Sequence, residues 1–167
     1  MSAIQVIVGI DNGISGGIVA LSQFDGSVID YTQMPVETVD GKSEVHIKGI
    51  LYWLDQFNPL STVVVIEEPL KHAKSSQAMR SMSISFGKIL GLCEAIEYPT
   101  YRMQVKEWQD VELGKKLAKG QTKAVALAKA QQHWPDETWL ATSRSRTPHD
   151  GIIDAALIAR HYLRHIL

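Results

Sequence analysis

Cysteine is nearly absent from this sequence, and so are long apolar runs. Its 167 residues include one cysteine, Cys93, which excludes an intrachain disulfide and a multi-cysteine zinc site and is typical of a reducing compartment. No apolar run approaches the roughly 20 residues that span a membrane. The first residues, MSAIQVIVGID, lack the cationic region of a signal peptide, so we predict none. These absences favour a cytoplasmic protein without a membrane partner.

Basic residues are scarce in the first part of the chain. Residues 1–70 hold two Lys or Arg against nine Asp or Glu, whereas residues 71–146 hold thirteen against seven. The net charge of −1 conceals this asymmetry. Such a distribution is consistent with a cationic surface beside an anionic site, and an ordinary mixed surface is the alternative.

The pattern of apolar residues predicts a single mixed α/β domain over residues 1–167. Short apolar runs bounded by turn residues predict strands at residues 4–10, 16–21, 28–34, 62–66 and 99–103. Apolar residues at helical spacing predict helices at residues 44–57, 76–97, 105–109, 122–133 and 149–166. We expect the first three strands to form an antiparallel meander and the fourth to lie parallel and buried in the sheet.

Two of the predicted strands end on carboxylates. The run IQVIVGI leads into Asp11, and the run VVVI leads into Glu67 and Glu68. If these strands are neighbours, Asp11 lies close to one of the two glutamates. Successive residues of a strand point to opposite faces of the sheet, so only one glutamate faces Asp11. The sequence does not decide which one.

The last predicted helix carries Asp150 and Asp154, which lie on one helix face. Asp150 stands at the helix start, where the helix dipole favours an acid. Asp154 lies between Ile153 and Ala155 near the packing face, where a lone buried carboxylate is costly. Clustered carboxylates favour Mg²⁺ or Mn²⁺, and two such ions support phosphodiester hydrolysis. Separate surface acids are the alternative.

Three motifs, in order, resemble the RuvC-type Holliday junction resolvases of the ribonuclease H-like superfamily. GIDNGISGG (residues 9–17) resembles their first motif, VVVIEEP (63–69) their second and HDGIIDAALIA (149–159) their last. The ordered match covers roughly residues 4–165. The resemblance implies a ribonuclease H-like five-stranded mixed sheet with helices on both faces. It also implies a magnesium- or manganese-dependent endonuclease with two ions per active site.

By motif position, the resemblance implies that Asp11, Glu67 and Asp154 are catalytic metal ligands. The family's remaining ligand lies three residues before the last one, where this chain has Gly151. Asp150 is therefore the candidate fourth catalytic ligand, with His149 in reserve. The implied protein is a homodimer that cuts four-way DNA junctions without a nucleotide cofactor. Its expected place is the cytoplasm of a bacterium or phage-infected cell, with an organelle not excluded.

Three predicted loops or helix starts contain candidate DNA contacts. The resemblance places the loop after Glu67 at the junction centre, where Leu70 or His72 is the candidate wedge between bases. Lysines in the middle of the chain and two arginines before the last helix are candidate phosphate contacts. The full set is Leu70, Lys71, His72, Lys74, Lys106, Lys115, Lys116, Lys119, Lys123, Arg144 and Arg146. We interpret Trp108, Trp134 and Trp139 as core residues.

Three other functions stay open. An ATP-binding domain of the actin or sugar-kinase type shares the GID-x-G turn but requires a second lobe and a second glycine-rich phosphate turn. A nuclease of the same superfamily acting on RNA–DNA hybrids or flaps shares the acidic residues. A non-catalytic DNA-binding protein of the same fold requires an incomplete ligand set.

Overall fold

The structure is a computed structural model that describes residues 3–70 and 75–167. In chain order its strands are β1 (Val6–Asp11), β2 (Gly17–Ser22), β3 (Val28–Gln33), β4 (Val36–Val39), β5 (Lys42–Val45), β6 (Thr62–Glu67) and β7 (Thr100–Met103). Its helices are α1 (Ile47–Leu54), α2 (Ser76–Ala95), α3 (Val105–Glu112), α4 (Thr122–His133) and α5 (Asp150–His165), with a 3₁₀ turn at Pro59–Ser61 before β6.

Five strands form the central sheet in the order β3-β2-β1-β6-β7. β1, β2 and β3 are an antiparallel meander, while β6 lies parallel to both β1 and β7. The first five residues of β6 are buried, as expected for a parallel strand covered on both faces. The predicted mixed five-stranded sheet is confirmed.

Helices cover both faces of this sheet, as predicted. On one face α3, α4 and α5 share a core with Ile7, Val63 and Val65, and on the other α1 and α2 pack against Val8 and Ile10. This split follows the alternation of side chains along each strand. The three tryptophans predicted to be core residues lie in the first core, and Cys93 lies buried in the second. Within the described residues, no helix has the length and apolarity needed to cross a membrane.

A second, two-stranded sheet stands where the start of a helix is predicted. The prediction of a helix from residue 44 is wrong, because β4 and β5 form an antiparallel hairpin and α1 begins only at Ile47. Asp40 and Gly41 connect the strands with positive φ angles of 49° and 74°. Asp-Gly favours this type of two-residue hairpin turn, and that local preference outweighs the helical spacing of the apolar residues. Elsewhere the short helix predicted to start over residues 105–109 is α3, which ends at Glu112.

Helix α5 lies directly against the backbone of β1 and β2. A Cβ atom added at Gly9 would lie 2.1 Å from the carbonyl oxygen of Ala155, and one at Gly17 would lie 2.7 Å from the Cα of Ile152. Real Cβ atoms do not approach backbone atoms so closely, so only glycine permits this helix–sheet distance. The positions of β1 and α5 relative to each other are therefore set by these glycines.

We expect Gly9→Ala to lower the free energy of unfolding by about 1–3 kcal/mol or more, because the added methyl group overpacks the interface with α5. Gln131→Ala is the control. This residue is exposed on α4, and a surface substitution of this kind should change the free energy of unfolding by no more than about 0.5 kcal/mol. Urea unfolding of both variants measures the difference, and wild-type stability in Gly9→Ala would contradict the close packing.

Candidate active site

Two carboxylates end neighbouring parallel strands at the same edge of the sheet. Asp11 is the last residue of β1 and Glu67 the last of β6. The registered pair Ile10 and Ile66 immediately precedes them. The two side chains therefore extend from adjacent strand ends toward the face that α5 covers.

The choice between Glu67 and Glu68 is decided by their partners. The Glu67 Oε2 atom accepts a hydrogen bond of 2.8 Å from the indole Nε1 of Trp108 in α3, on the α5 side of the sheet. The Glu68 Oε1 atom lies 2.8 Å from the Nε atom of Arg102 in β7. Glu67 is thus the glutamate on the same side as Asp11, and Glu68 belongs to an ion pair on the other face.

Helix α5 brings Asp154 to this edge of the sheet. A bridge between Gly16 and Gly151 joins the loop after β1 to the first turn of the helix. A Cβ atom at Gly151 would lie 2.4 Å from the carbonyl oxygen of Ser15, so no other residue fits there. This contact explains why position 151 carries no side-chain ligand.

Burial raises the pKa of all three carboxyl groups, and repulsion by neighbouring acids raises those of Glu67 and Asp154 further. Burial raises the pKa of Asp11 to about 6, against a smaller lowering by the Gly13 amide. Burial, and secondarily the charge of Asp11, raises the pKa of Glu67 to about 8 and that of Asp154 to about 7. Charges that affect one another in this way lie close together. Asp11, Glu67 and Asp154 therefore lie near one another at this edge of the sheet, and their role as metal ligands stays a prediction.

The three carboxylates do not form a compact, single-ion cluster. Among the residues that the structure describes, they are not a set whose ligand oxygens all lie within 4.8 Å of one another. As placed, the three groups are too far apart to bind a single ion together.

Two supporting residues were not predicted from the sequence. The side-chain amide of Asn12, which is 1% exposed, donates to the backbone carbonyl of Glu67 and ties the ends of β1 and β6 together. Trp108 was interpreted only as a core residue, yet its indole N–H orients the Glu67 carboxylate. The sequence offers one signal for this role: the indole N–H of a buried tryptophan usually has a hydrogen-bond partner.

The fourth predicted ligand is engaged elsewhere. The Asp150 carboxylate is half exposed and forms an ion pair of 2.5 Å with the Lys123 ammonium group of α4. His149 is the N-cap of α5, and its Nδ1 atom accepts a 3.3 Å hydrogen bond from the Ile152 amide. Asp150 still lies near enough to Asp154 for its charge to raise the pKa of that carboxyl. Asp150 and His149 both remain candidates.

The predicted DNA contacts differ in how far the structure describes them. Lys71, His72 and Lys74 lie outside the described residues, and Leu70, directly before them, is 46% exposed. The other predicted contacts are all exposed: Lys106, Lys115, Lys116, Lys119, Lys123, Arg144 and Arg146. Among these, Lys123 is tied to the site by its ion pair with Asp150.

A groove leads along the sheet edge to Asp11. Its volume is about 490 Å³, and it runs between the loop after β1 and the first turns of α2. Its walls combine serine side chains such as Ser15 and Ser81 with the apolar side chains of Ile14, Ala78 and Met82. On this side of the groove, Ser75 is the first residue that the structure describes. Its hydroxyl oxygen caps α2 by accepting a hydrogen bond from the Ala78 amide.

The whole chain is similar to solved structures of junction resolvases. Thermus thermophilus RuvC in complex with a Holliday junction substrate is 18% identical, with a TM-score of 0.63 over 96% of this chain and 95% of that one. A second Thermus thermophilus RuvC structure is 16% identical, with a TM-score of 0.59 over 95% of each chain. A fowlpox virus resolvase bound to substrate Holliday junction DNA is 12% identical, with a TM-score of 0.50 over 97% and 99%.

These likenesses establish the fold. No family model and no curated protein sequence matches the chain. The chain has the α/β, ribonuclease H-like fold of the RuvC-type resolvases, and the resemblance inferred from its three motifs is confirmed at that level.

We expect Glu67→Gln to raise the melting temperature of the metal-free protein at pH 8, and to raise it much less at pH 5. A carboxyl group whose folded-state pKa is raised stabilises the fold at low pH, and this contribution is lost as pH rises toward the folded value, here about 8. The glutamine variant avoids the loss. A difference of at least about 1 kcal/mol, or roughly 2–4 °C, is expected for a domain of this size.

Glu68→Gln is the control, because this neighbour lies in an ion pair on the opposite face. Thermal unfolding in the presence of EDTA across pH 5–8 measures both variants. Equal pH dependence in the two variants would show that Glu67 does not carry the unfavourable buried charge.

Proposed function

We propose that this chain is a divalent-metal-dependent endonuclease that resolves four-way DNA junctions by paired phosphodiester hydrolysis. The observation that carries the proposal is the meeting of three partly buried carboxylates, Asp11, Glu67 and Asp154, from separate elements of the fold. A folded protein has no packing reason to collect buried like charges. The likeness in fold to solved resolvases supplies the substrate class.

The donor set fits magnesium or manganese. All three groups offer hard carboxylate oxygens, which these ions prefer, and a cation would offset the cost of burying their negative charges. Asp11, Glu67 and Asp154 would hold the ions, with Asp150 or His149 as the fourth ligand. When bound, two such ions activate the attacking water and stabilise the leaving oxygen.

The protein residues orient these ligands before metal or DNA arrives. The Gly13 amide donates to Asp11 Oδ1 at 3.2 Å, and the Trp108 indole donates to Glu67 at 2.8 Å. Each bond occupies one oxygen and leaves the other free for a cation. Such outer contacts typically contribute 10–100-fold to metal affinity or activity.

The DNA surface follows from the charge distribution. The exposed lysines around the α3–α4 loop adjoin the start of α4, where Lys123 reaches the acidic site through Asp150. We propose that they bind the phosphate backbone beside the scissile position, with Arg144 and Arg146 ahead of α5. Leu70 and His72 are the candidates for contact with bases at the junction centre.

Paired cleavage requires two active centres, which we propose a homodimer provides. Helix α2 offers a candidate face, because Ile84 is 39% exposed and nothing lies within 4 Å of a Cβ added at Gly87 or Gly91. These small residues would allow a second copy to approach the helix backbone closely.

We expect Asp11→Asn, Glu67→Gln and Asp154→Asn each to abolish cleavage of a mobile four-way junction with Mg²⁺ or Mn²⁺, while junction binding persists. Each change removes a metal ligand and leaves the basic surface intact. Glu68→Gln, on the opposite face of the sheet, should cut at nearly the wild-type rate. A nicking assay together with gel-shift binding measures both properties.

The same assay includes a flap, an RNA–DNA hybrid and plain duplex. Preferential cleavage of a flap or hybrid would assign the nuclease to a different substrate. If no substrate is cut while the junction is bound, the protein is a DNA-binding protein without catalytic activity. Normal cutting by Glu67→Gln would refute the ligand assignment.

We expect the double variant Lys115→Ala, Lys116→Ala to weaken junction binding and to reduce the slope of log affinity against log salt by about one unit per lost phosphate contact. Lys48→Ala, on α1 across the sheet, is the control and should change neither quantity. Binding measured by fluorescence anisotropy at several salt concentrations tests this. Unchanged affinity and slope in the double variant would place the DNA elsewhere.

A further inference from the structure

A second cluster of titratable groups lies between α3 and α5, away from the carboxylate site. Glu112 ends α3, and His161 and His165 lie one turn apart near the end of α5. His161 follows Asp154 by seven residues, which is about 10 Å along a helix. Within residues 3–70 and 75–167, these three side chains are the only such set whose ligand atoms all lie within 4.8 Å of one another.

Two atoms of this cluster are buried without a hydrogen-bond partner. The Glu112 side chain is 2% exposed and that of His161 is 4% exposed. Glu112 Oε1 and His161 Nδ1 both lack a hydrogen bond, and they lie 3.6 Å apart, too far for one to form between them. Buried polar atoms without partners are costly and rare in folded proteins. The pair therefore requires an explanation.

Arg160 binds only one of the two oxygens of the Glu112 carboxylate. Its Nη1 atom lies 2.5 Å from Glu112 Oε2. The other oxygen, Oε1, faces both histidines, with His161 Nδ1 at 3.6 Å and His165 Nε2 at 3.8 Å. Three potential electron-pair donors thus surround one small region, while the salt bridge holds the carboxylate in place.

We propose that Glu112, His161 and His165 form a binding site for a Zn²⁺-type transition-metal ion. Ligand atoms on a tetrahedral zinc at about 2.0–2.1 Å lie about 3.3 Å from one another, so each of the two Glu112–histidine distances would contract by only a few tenths of an ångström. Two imidazoles and a carboxylate are a known zinc ligand set. Nitrogen donors favour zinc over magnesium, so this site differs in chemistry from the oxygen-only site.

Such an ion would link the two helices that carry the active-site groups. Glu112 lies one turn after Trp108, whose indole N–H binds Glu67, and His161 lies two turns after Asp154. A metal bridge between α3 and α5 would hold Trp108 and Asp154 at a defined separation. We assign the site a structural role, with the half-exposed His165 providing access from solvent.

Zinc binding to the full-length chain tests the proposal. The background is Asp11→Asn, Glu67→Gln, Asp154→Asn, which removes the oxygen-only site as a competing binder. Calorimetric titration with Zn²⁺ should give one ion per chain, and Zn²⁺ should raise the melting temperature, whereas Mg²⁺ should do neither. In the same background His165→Gln should weaken Zn²⁺ binding by at least about tenfold and remove most of the thermal shift.

His165 is the preferred position for the variant because its exposed side chain is not needed for the core. His46→Gln is the matched control, since that histidine precedes α1 on the opposite face and should leave zinc binding unchanged. Equal Zn²⁺ affinity with and without His165, or no Zn²⁺ binding at all, would overturn the proposal. In that case the Glu112 carboxylate and the His161 imidazole would be explained by an ordinary buried hydrogen bond between them.

Discussion

Helix α5 rests on the backbone of β1 and β2, because the residues that face it there are glycines. Gly9 and Gly17 leave no room for a Cβ atom, and Gly151 lies equally close to the loop after β1. This contact places Asp154 beside Asp11. Larger side chains between the helix and the strands would hold the two acids further apart. The carboxylate site exists because a helix and two strands approach as closely as their backbones permit.

That close packing has an electrostatic consequence. Three carboxylates are brought into a partly buried space. Burial raises the pKa of each, and repulsion by neighbouring acids adds to this for Glu67 and Asp154. The protein offsets part of this cost with the Trp108 indole, the Gly13 amide and the cation Lys123. The cost of the negative charge that is not offset favours binding of a divalent cation. The raised pKa values and the proposed catalysis therefore have the same physical origin.

Lys123 shows how the protein itself offsets negative charge beside the proposed metal site. Its ammonium group binds Asp150, which is a candidate for the fourth metal ligand. A cation of the protein itself therefore already pairs with that acid.

Helices α3 and α5 connect the carboxylate site to the Glu112–His161–His165 cluster. α3 and α5 each contribute to the carboxylate site at one end and to the Glu112–His161–His165 cluster further along, so the packing of these two helices affects both.

The sequence by itself determined the five strands of the main sheet, most of the helices and the acids at the ends of β1 and β6, because these follow from local hydrophobic period and from where apolar runs stop. It misplaced the start of α1, since a helical spacing of apolar residues and an Asp-Gly turn competed locally. Only the tertiary structure decided that Glu67 rather than Glu68 faces Asp11, that position 151 must be glycine, and that Asn12 and Trp108 support the site. Each of these depends on which distant element covers a given face of the sheet, and the local pattern of a chain carries no record of that.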